Sequence, residues 1–400
     1  MTETLFSPES PRPRAAHGGL HVLTLTPFYP NDDDDASGCF VYEPLLWLDK
    51  AGIDNTVFAV QPFYRDTLSS KSLRIPAQWI RYFALPSGFG LPTAGAFVFA
   101  HCIGKLRELN RVRPIHLIHA HGALPCGHAA MLLSRELHIP FVVTVHGLDA
   151  YSTVQVRGWA GRWCRRISQH TYMASRRVIC VSEHVREKVL QGIGRNGRTS
   201  VVYNGVDPDL FAPGNSVASN HSVILSVGNL ISVKGHELLI RAVASLVPQF
   251  PSLVLEIIGT GPERQRLERI SDELGCGDRV RFLGRKSRRE TATAMENCTL
   301  FALPSRYEGL GCVYLEAMST EKAAVGCREQ GIAEIIQQGS NGFLVGPDNE
   351  RELTLVLSML LGDEQRRSNL GRAGRQTVVE ALTLAHQAER LARIYRECVG

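Results

Sequence analysis

Two glutamates, Glu308 and Glu316, stand on either side of a glycine-containing turn in the second half of the chain. The apolar residues 300–303 before them predict a buried parallel strand, and residues 313–318 predict the first turns of a helix. Free N–H groups at a helix start favour an anion such as a diphosphate, and Gly311 would let it approach the backbone closely. A carboxylate beside that point can accept hydrogen bonds from a sugar diol. The alternative is that both glutamates are solvated charges around an ordinary turn.

Lys234 and Gly235 form a second candidate contact for phosphate, just before an amphipathic helix predicted over residues 236–247. A mobile ammonium beside free backbone N–H groups suits an anion, although the spacing is not that of a P-loop. The alternative is a surface lysine at a helix start. Gly38, at the predicted start of an early helix, could let a phosphate approach in the same way.

Histidines mark the ends of two predicted strands. His146 follows the β-branched run 141–145, and ligands of open α/β sheets bind at the carboxyl ends of the strands. The alternative for His146 is a packed or capping side chain. His119 and His121 alternate along an earlier strand but lack the usual zinc-ligand spacing, so structural histidines near a cleft are the favoured interpretation.

Strands and helices alternate about six times in each half of the chain. The predicted strands cover residues 20–25, 56–60, 115–122, 141–145, 178–181 and 200–203, and then 223–228, 253–258, 279–283, 300–303, 323–326 and 341–345. This alternation predicts an α/β protein with two doubly wound, Rossmann-like domains facing each other across a cleft. The domains would cover residues 19–207 and 222–383, with a disordered tail at 1–18 and a linker at 208–221. A helix is expected to start at 330–334, and helical periodicity runs from Glu350 to the end.

Three segments allow two interpretations each. The acidic run 32–35 could bind a divalent cation, but a solvated loop is favoured. Residues 61–92 are predicted to be irregular, either as an acceptor-binding insertion or as a plain long connection. Residues 156–177 predict a helix that mixes tryptophan with arginine. That mixture suits a membrane interface, but a surface helix with buried tryptophans is the favoured interpretation.

The bulk composition limits the classes of function. The chain has 400 residues, a formal net charge of +5 and ten cysteines without a C-x-x-C pair. It is long enough for two domains. A mildly basic chain fits anionic substrates or a loose contact with an anionic membrane surface, and it does not by itself imply a nucleic-acid partner. The cysteines argue for reduced thiols in a cytoplasmic protein, and no run of about 18 apolar residues predicts a transmembrane helix.

Several motifs, in their order along the chain, resemble those of retaining GT-B glycosyltransferases of the family-four (glycosyl transferases group 1) type. They are Thr144-x-His146-Gly147-x-Asp149, Val181-Ser182-Glu183, Asn204-Gly205-Val206-Asp207 with Phe211, Lys234-Gly235, Gly259-x-Gly261-Pro262, and Glu308-x7-Glu316-Ala317-Met318. The resemblance covers roughly residues 20–398. It implies transfer of a sugar from a UDP- or GDP-sugar to a hydroxyl of a glycan or lipid-linked acceptor, with retention and without a metal or other cofactor. It also implies a role in bacterial polysaccharide or glycoconjugate biosynthesis, in the cytoplasm or at the inner membrane.

The resemblance also implies residue roles. Glu316 would bind the nucleotide ribose, Glu308 would bind hydroxyls of the donor sugar, and His146 would lie beside that sugar. The candidate catalytic residues are His146, Lys234 and Glu308. The candidate donor-binding residues are Gly38, Asn229, Lys234, Gly259, Arg285, Lys286, Glu308, Leu310, Gly311, Cys312 and Glu316. The last helix, at residues 384–400, would cross back onto the first domain.

Two positions depart from the family pattern. Asn229 stands where relatives usually carry a second phosphate-binding arginine, and Glu321 stands near a usual glycine. The first departure leaves open a catalytically degenerate nucleotide-sugar-binding scaffold, and a GT-B-like epimerase is a further alternative. A phosphorylase would need a cofactor lysine that no motif marks. A nicotinamide dehydrogenase is disfavoured because the one G-x-G-x-x-G match, at residues 192–197, follows a predicted helix and not a strand.

Overall fold

The structure is a computed structural model that describes residues 19–66, 68–84, 90–151, 156, 158–194, 198–214 and 221–400. The predicted tail at 1–18 lies outside the described residues. So do residues 215–220 of the predicted linker and residues 195–197 of the G-x-G-x-x-G match. Among the described residues, no helix combines the length and the apolar character that crossing a membrane requires.

The first domain is built on a parallel sheet. Its described strands are β1 (His21–Thr26), β2 (Asp54–Pro62), β3 (Ala77–Tyr82), β4 (Leu117–His121), β5 (Phe141–Val145), β6 (Arg177–Cys180) and β7 (Thr199–Val201), in the order β3-β2-β1-β4-β5-β6-β7. Strand β3 corrects the prediction of an irregular segment at 61–92. It is an edge strand that pairs with β2 alone, and its mixed sequence AQWIRY lacks the apolar run of a strand buried on both faces.

The second domain has its own parallel sheet. Its strands are β8 (Ser222–Val227), β9 (Leu253–Ile258), β10 (Val280–Gly284), β11 (Leu300–Ala302), β12 (Ala324–Cys327) and β13 (Phe343–Val345). Their order is β10-β9-β8-β11-β12-β13, which reverses direction beside β8 as dinucleotide-binding sheets do. The predicted pair of doubly wound domains is therefore confirmed, and the crevice at each reversal faces the other domain.

The helices cover the faces of both sheets. They are α1 (Cys39–Lys50), α2 (Leu91–Val112), α3 (His128–Leu137), α4 (Gly158–Ala174), α5 (Glu183–Ile193), α6 (His236–Leu246), α7 (Arg264–Glu273), α8 (Arg288–Asn297), α9 (Cys312–Ser319), α10 (Glu350–Gly362), α11 (Glu364–Ala381) and α12 (Leu384–Val399). The helix expected to start at 330–334 is only a 3₁₀ turn, Gly331–Glu334. It stops because the Asn341 side chain bonds the N–H of Gln337 and the carbonyl of Ile335, at 2.7 and 3.1 Å.

The last helix crosses back onto the first domain, as predicted. Ala388, Leu391 and Ala392 of α12 join the hydrophobic cluster that contains Leu45 and Leu48 of α1. Burying a leucine such as Leu391 contributes about 1.5–3 kcal/mol. The helix therefore shares a hydrophobic core with α1 of the first domain.

The two tryptophans of α4 correct another expectation. Trp159 and Trp163 are 61% and 43% exposed, so the interpretation with buried tryptophans is wrong. Beside them the helix buries the small residues Ala160, Gly161 and Cys164, and a Cβ at Gly161 would lie 2.3 Å from the carbonyl oxygen of Val156. Because the chain packs this closely against this part of α4, the two indole rings are left on the outer face.

Candidate functional site

A cavity of about 340 Å³ lies between the domains, at the carboxyl ends of both sheets. This size is at the lower end of the range for small-molecule sites. The sequence-selected residues that line it are His146, Asn229, Lys234, Gly259, Arg285, Lys286, Glu308, Leu310, Gly311, Cys312 and Glu316. Gly38 is not in the wall itself. It is the N-cap of α1 with a φ of 72°, and the next two residues, Cys39 and Phe40, line the cavity.

Lys234 and Glu308 meet in the wall of the cavity that belongs to the second domain. The Nζ of Lys234 forms an ion pair with a carboxylate oxygen of Glu308, and both side chains are mostly buried. The Glu308 backbone N–H donates to Gln330 at 3.0 Å, which fixes the loop. Gly235 follows Lys234 with a φ of 73°, and a Cβ there would lie 2.1 Å from the carbonyl oxygen of Pro304. The glycine therefore lets the lysine turn approach the glutamate loop.

The start of α9 supplies backbone donors at the same place. Gly311, its N-cap, has a φ of 84°, and no side chain caps the helix. Leu310, Gly311, Cys312 and Val313 all line the cavity. The N–H groups of an uncapped first turn and the helix dipole favour a bound anion, and the Lys234 ammonium beside them adds a positive charge.

Glu316 points into the cavity from the second turn of α9 and is held by Arg288. Its Oε1 accepts a 2.6 Å hydrogen bond from the Arg288 guanidinium, which also binds Glu43 of α1 through two contacts of 2.8 and 3.1 Å. The second oxygen of Glu316 is buried and accepts no hydrogen bond from any described residue. One oxygen is thus fixed by the protein, and the other has no hydrogen-bond partner among the described residues.

The sequence reasoning missed Arg288, the residue that joins these carboxylates. Burial works against its charged form, but Glu316 and Glu43 raise the pKa of Arg288 above its usual range. Burial raises the pKa of Glu43, although the guanidinium opposes the rise. The one local signal was the pattern Ser287-x-x-Glu290, which forms a capping box and places Arg288 at the first position of α8.

His146 lies on the first-domain wall, at the end of β5. Asp149 accepts hydrogen bonds from the N–H groups of His146 and Gly147, at 2.9 and 2.6 Å, so the turn after the strand is fixed. One ring nitrogen of His146 lies 3.0 Å from a ring nitrogen of His121, and the Nδ1 of His146 has no partner among the described residues. Burial lowers the pKa of His146, against the opposing charge of Asp149. Burial therefore favours the neutral form of the ring.

Comparison with known proteins places the chain in a family. Residues 211–377 match the model of glycosyl transferases group 1, and residues 40–210 match that of glycosyltransferase family 4. An uncharacterised glycosyltransferase of Methanocaldococcus jannaschii is 31% identical over 277 residues, which are 69% of this chain and 74% of the relative. The chain belongs to the group 1 glycosyltransferases.

Solved structures with the same fold agree with the architecture of this glycosyltransferase. Sucrose-phosphate synthase from Thermosynechococcus elongatus superposes with a TM-score of 0.77, at 20% identity over 94% of this chain and 98% of that one. The Anabaena protein HepE in complex with UDP-glucose superposes with a TM-score of 0.73, at 20% identity over 94% of this chain and all of that one. At these identities the likeness supports the fold alone.

The domains of this glycosyltransferase touch on two sides of the cavity. On one side, Glu334 accepts the N–H groups of Glu183 and His184 at the start of α5, at 2.8 and 2.7 Å. Beside it, the Ser182 hydroxyl donates to the carbonyl of Gly309 at 2.6 Å. A Cβ at residue 309 would lie 1.9 Å from the carbonyl oxygen of His146. Only glycine there permits this approach of the two domains.

The acidic loop forms the contact on the other side. Asp34 pairs with Arg285, Asp35 accepts the backbone N–H of Arg288 at 3.1 Å, and Asp32 accepts the N–H of Ser72 at 3.0 Å. Asp32, Asp33 and Asp35 are exposed, as the solvated interpretation expects, but Asp34 and Asp35 also contact donors of the second domain. Sequence reasoning missed these two contacts because their partners lie far along the chain.

The buried histidines of this glycosyltransferase predict acid sensitivity. Burial lowers the pKa of His119 to about 3 and moves the pKa values of His121 and His146 below 6.5 as well. Below about pH 6.5 these histidines become protonated in the unfolded chain but stay neutral in the folded protein. Their contribution to the free energy of unfolding is therefore fully present above pH 6.5. As the pH falls below that value, each histidine lowers the free energy of unfolding by up to about 1.4 kcal/mol per pH unit.

We therefore expect the melting temperature to fall between pH 7.5 and pH 5.5. His119→Gln is the matched control, since glutamine does not titrate and can still bond Tyr395 and Thr144, which lie 2.6 and 2.7 Å from the ring nitrogens of His119. Its melting temperature should depend less on pH. A melting temperature that stays constant or rises toward pH 5.5 would contradict this prediction.

Proposed function

We propose that this enzyme transfers a sugar from a UDP- or GDP-sugar to a hydroxyl group of a glycan or lipid-linked acceptor, with retention of the anomeric configuration. The observation that carries the proposal is the free, buried Oε2 of Glu316. Glu316 lines the same cavity as the uncapped start of α9 and Lys234. A buried acceptor without a partner is costly, and the hydroxyls of a ribose would satisfy it.

The donor would lie along this wall. Its ribose would bond Glu316, and its diphosphate would take the N–H groups of Leu310, Gly311 and Cys312 together with Lys234. Its sugar would then reach Glu308 and His146, which line the same cavity. Arg285 and Lys286, after β10, would border the base. The UDP-glucose complex of the similarly folded Anabaena protein supports a nucleotide sugar of this kind as the donor.

Breaking the bond between the sugar and the diphosphate requires that the charge on the leaving phosphate be stabilised. Lys234 and the start of α9 would supply that stabilisation in a preorganised form, so the proposal needs no metal ion. The acceptor hydroxyl would attack the anomeric carbon from the face that the diphosphate leaves. Its proton would pass to a diphosphate oxygen, and the configuration at the anomeric carbon would be retained.

The proposal also includes the cellular compartment in which the enzyme acts. The ten cysteines are unpaired thiols, which supports a reducing compartment such as the cytoplasm. The acceptor would approach from the first domain, whose sheet ends in the aromatic residues Phe63 and Phe83. Production of a polysaccharide or glycoconjugate fits such an acceptor.

One observation favours a second candidate function, a nucleotide-sugar-binding scaffold without catalysis. Asn229 is exposed at the rim of the cavity, at the position where the resemblance expects a second phosphate-binding arginine. Lys286 and Arg285 line the cavity as well, and either cation could compensate. A glycosyltransferase would consume the nucleotide-sugar donor, whereas a scaffold would bind the donor without consuming it.

The test is incubation with a panel of UDP- and GDP-sugars in EDTA, followed by assay of the released nucleoside diphosphate. Slow transfer to water gives a signal before the acceptor is known, and proton NMR reports the anomer of the freshly released sugar. We expect one donor to be consumed in EDTA, with the donor's own anomeric configuration in the product. A donor that binds but is never consumed would favour the scaffold, an inverted anomer would contradict retention, and loss of turnover in EDTA would contradict metal independence.

A further inference from the structure

Helix α4 presents to solvent a stripe that is both aromatic and basic. Six of its exposed positions recur every three or four residues and so lie on one face; they are Trp159, Arg162, Trp163, Arg166, His170 and Met173. The two indole rings stack with their centres 6.2 Å apart, and Met173 is 74% exposed. Contiguous large apolar side chains in water mark a contact surface more often than an idle one.

The charge on this stripe is uncompensated. Residues 150–182 contain six arginines and neither aspartate nor glutamate. Within the described part of the chain, Arg162 and Arg166 form no ion pair or hydrogen bond. The arginines of α7 differ, because Arg264 and Arg266 are paired with glutamates within their own segment. The six described residues of the stripe carry no negative charge, which favours an anionic partner.

The other exposed aromatic side chains of the described chain belong to the same domain. They form a cluster after β2 and β3 and on the first half of α2, and they are Phe63, Tyr64, Phe83 and Phe97. Leu91, at the start of α2, packs against the cluster formed by Ala160 and Cys164 on the inner face of α4. The two aromatic groups thus flank the same end of α2. The described residues of the second domain expose no aromatic side chain to a similar degree.

We infer that this face of α4 docks the protein on an anionic lipid surface. Tryptophan rings prefer the headgroup level of a bilayer, where one edge is apolar and the other wet. Arginines interleaved with them attract anionic headgroups, each contributing about fivefold in affinity near the surface. Because the tryptophans and arginines share one exposed face of α4, both kinds of side chain would reach the interface together. Sugar transfer and lipid binding are separate properties of separate residues.

The test is sedimentation of the full chain with vesicles of phosphatidylcholine, alone or mixed with phosphatidylglycerol. The variants are Trp159→Ala/Trp163→Ala and Arg162→Gln/Arg166→Gln. The matched control, Leu355→Ala/Arg372→Ala, removes one exposed apolar and one exposed basic side chain from helices of the second domain.

We expect wild type and control to bind the mixed vesicles and not the neutral ones. The double variant Arg162→Gln/Arg166→Gln should have a partition coefficient roughly 25-fold lower than wild type. Added salt should weaken vesicle binding by wild type. The double variant Trp159→Ala/Trp163→Ala should not show the blue shift of tryptophan fluorescence that vesicles cause in wild type. Its remaining tryptophans, Trp47 and Trp79, do not belong to α4. Donor consumption, measured in the same samples, should persist in every variant, which separates this test from that of the transfer reaction.

Two results would overturn the inference. One is wild-type protein that stays in the supernatant with mixed vesicles at low ionic strength. The other is vesicle binding that both α4 variants retain, since the lipid contact would then lie on another surface. A wild type that ignores vesicles but is retained on heparin or nucleic acid would assign the face to a different polyanion and would equally contradict it.

Discussion

Replacing Lys234 by alanine should lower kcat for donor consumption by about 10²–10³-fold, the usual cost of removing one preorganised donor from a developing negative charge. The ammonium has no substitute on its own turn, because Asn229 is neutral and the start of α9 supplies only partial charges. The measurement is release of the nucleoside diphosphate at saturating donor. Lys105→Ala, which removes an exposed lysine of α2, is the control and should turn over as wild type does.

Stability separates a catalytic role of Lys234 from a structural one. The lysine is the ion-pair partner of Glu308, whose side chain is only 11% exposed, so Lys234→Ala leaves a carboxylate unpaired and should also lower the melting temperature. Adding Glu308→Gln removes that charge and should restore the melting temperature. It should not restore turnover. A Lys234→Ala enzyme with full turnover, or a double variant that recovers it, would contradict the proposed role.

Replacing Arg288 by methionine should destabilise the protein by about 3–5 kcal/mol, as expected when one partner of a buried ion pair is removed. The Arg288 side chain is 12% exposed and binds Glu43 and Glu316, which are 15% and 3% exposed. Both carboxylates would then be buried without a cation. Thermal or urea unfolding measures the loss, and Arg269→Met, at an exposed arginine of α7, should stay within about 0.5 kcal/mol of wild type.

The destabilisation caused by Arg288→Met should be larger at neutral pH than at acidic pH. Burial raises the pKa of Glu43 and the guanidinium opposes that rise, so without the guanidinium the folded variant would bind a proton that the unfolded chain does not. Its deficit relative to wild type should therefore shrink as the pH falls from 7.5 to 5. Adding Glu43→Gln should recover part of the stability at pH 7.5. A deficit that is the same at every pH would show that lost packing, and not unpaired charge, is the cause.

Sequence reasoning found the elements whose signals are local. Strands β9 and β11 are short apolar runs buried on both faces, and such runs identify parallel strands directly. The start of α9 was visible because a glycine and a small helix-forming segment follow a strand. The donor-binding candidates in the second domain belong to such strand ends, and the topology brings strand ends together.

The features that sequence reasoning missed depend on partners far along the chain. Glu43 and Arg288 are 245 positions apart, so neither carries a sign of the other. The contact of the acidic loop with the second domain was missed because Asp34 meets Arg285 only after the domains pack. Strand β3 is an edge strand, and its polar residues resemble a loop. The Trp159 side chain is exposed because α4 packs closely through small residues such as Gly161. The composition of the helix does not show which of its faces is packed.

The most direct test of the central claim is thermal unfolding with UDP, GDP and ADP and their common sugar conjugates in EDTA, for wild type and Glu316→Ala. A ligand at about 100 times its dissociation constant stabilises the folded state by roughly 2.7 kcal/mol, which is readily seen as a shift in melting temperature. We predict that one nucleotide and its sugar conjugate raise the melting temperature of wild type and leave that of Glu316→Ala unchanged. If no nucleotide shifts wild type, or if Glu316→Ala shifts equally, then Glu316 does not bind the ribose and the cavity is not the donor site.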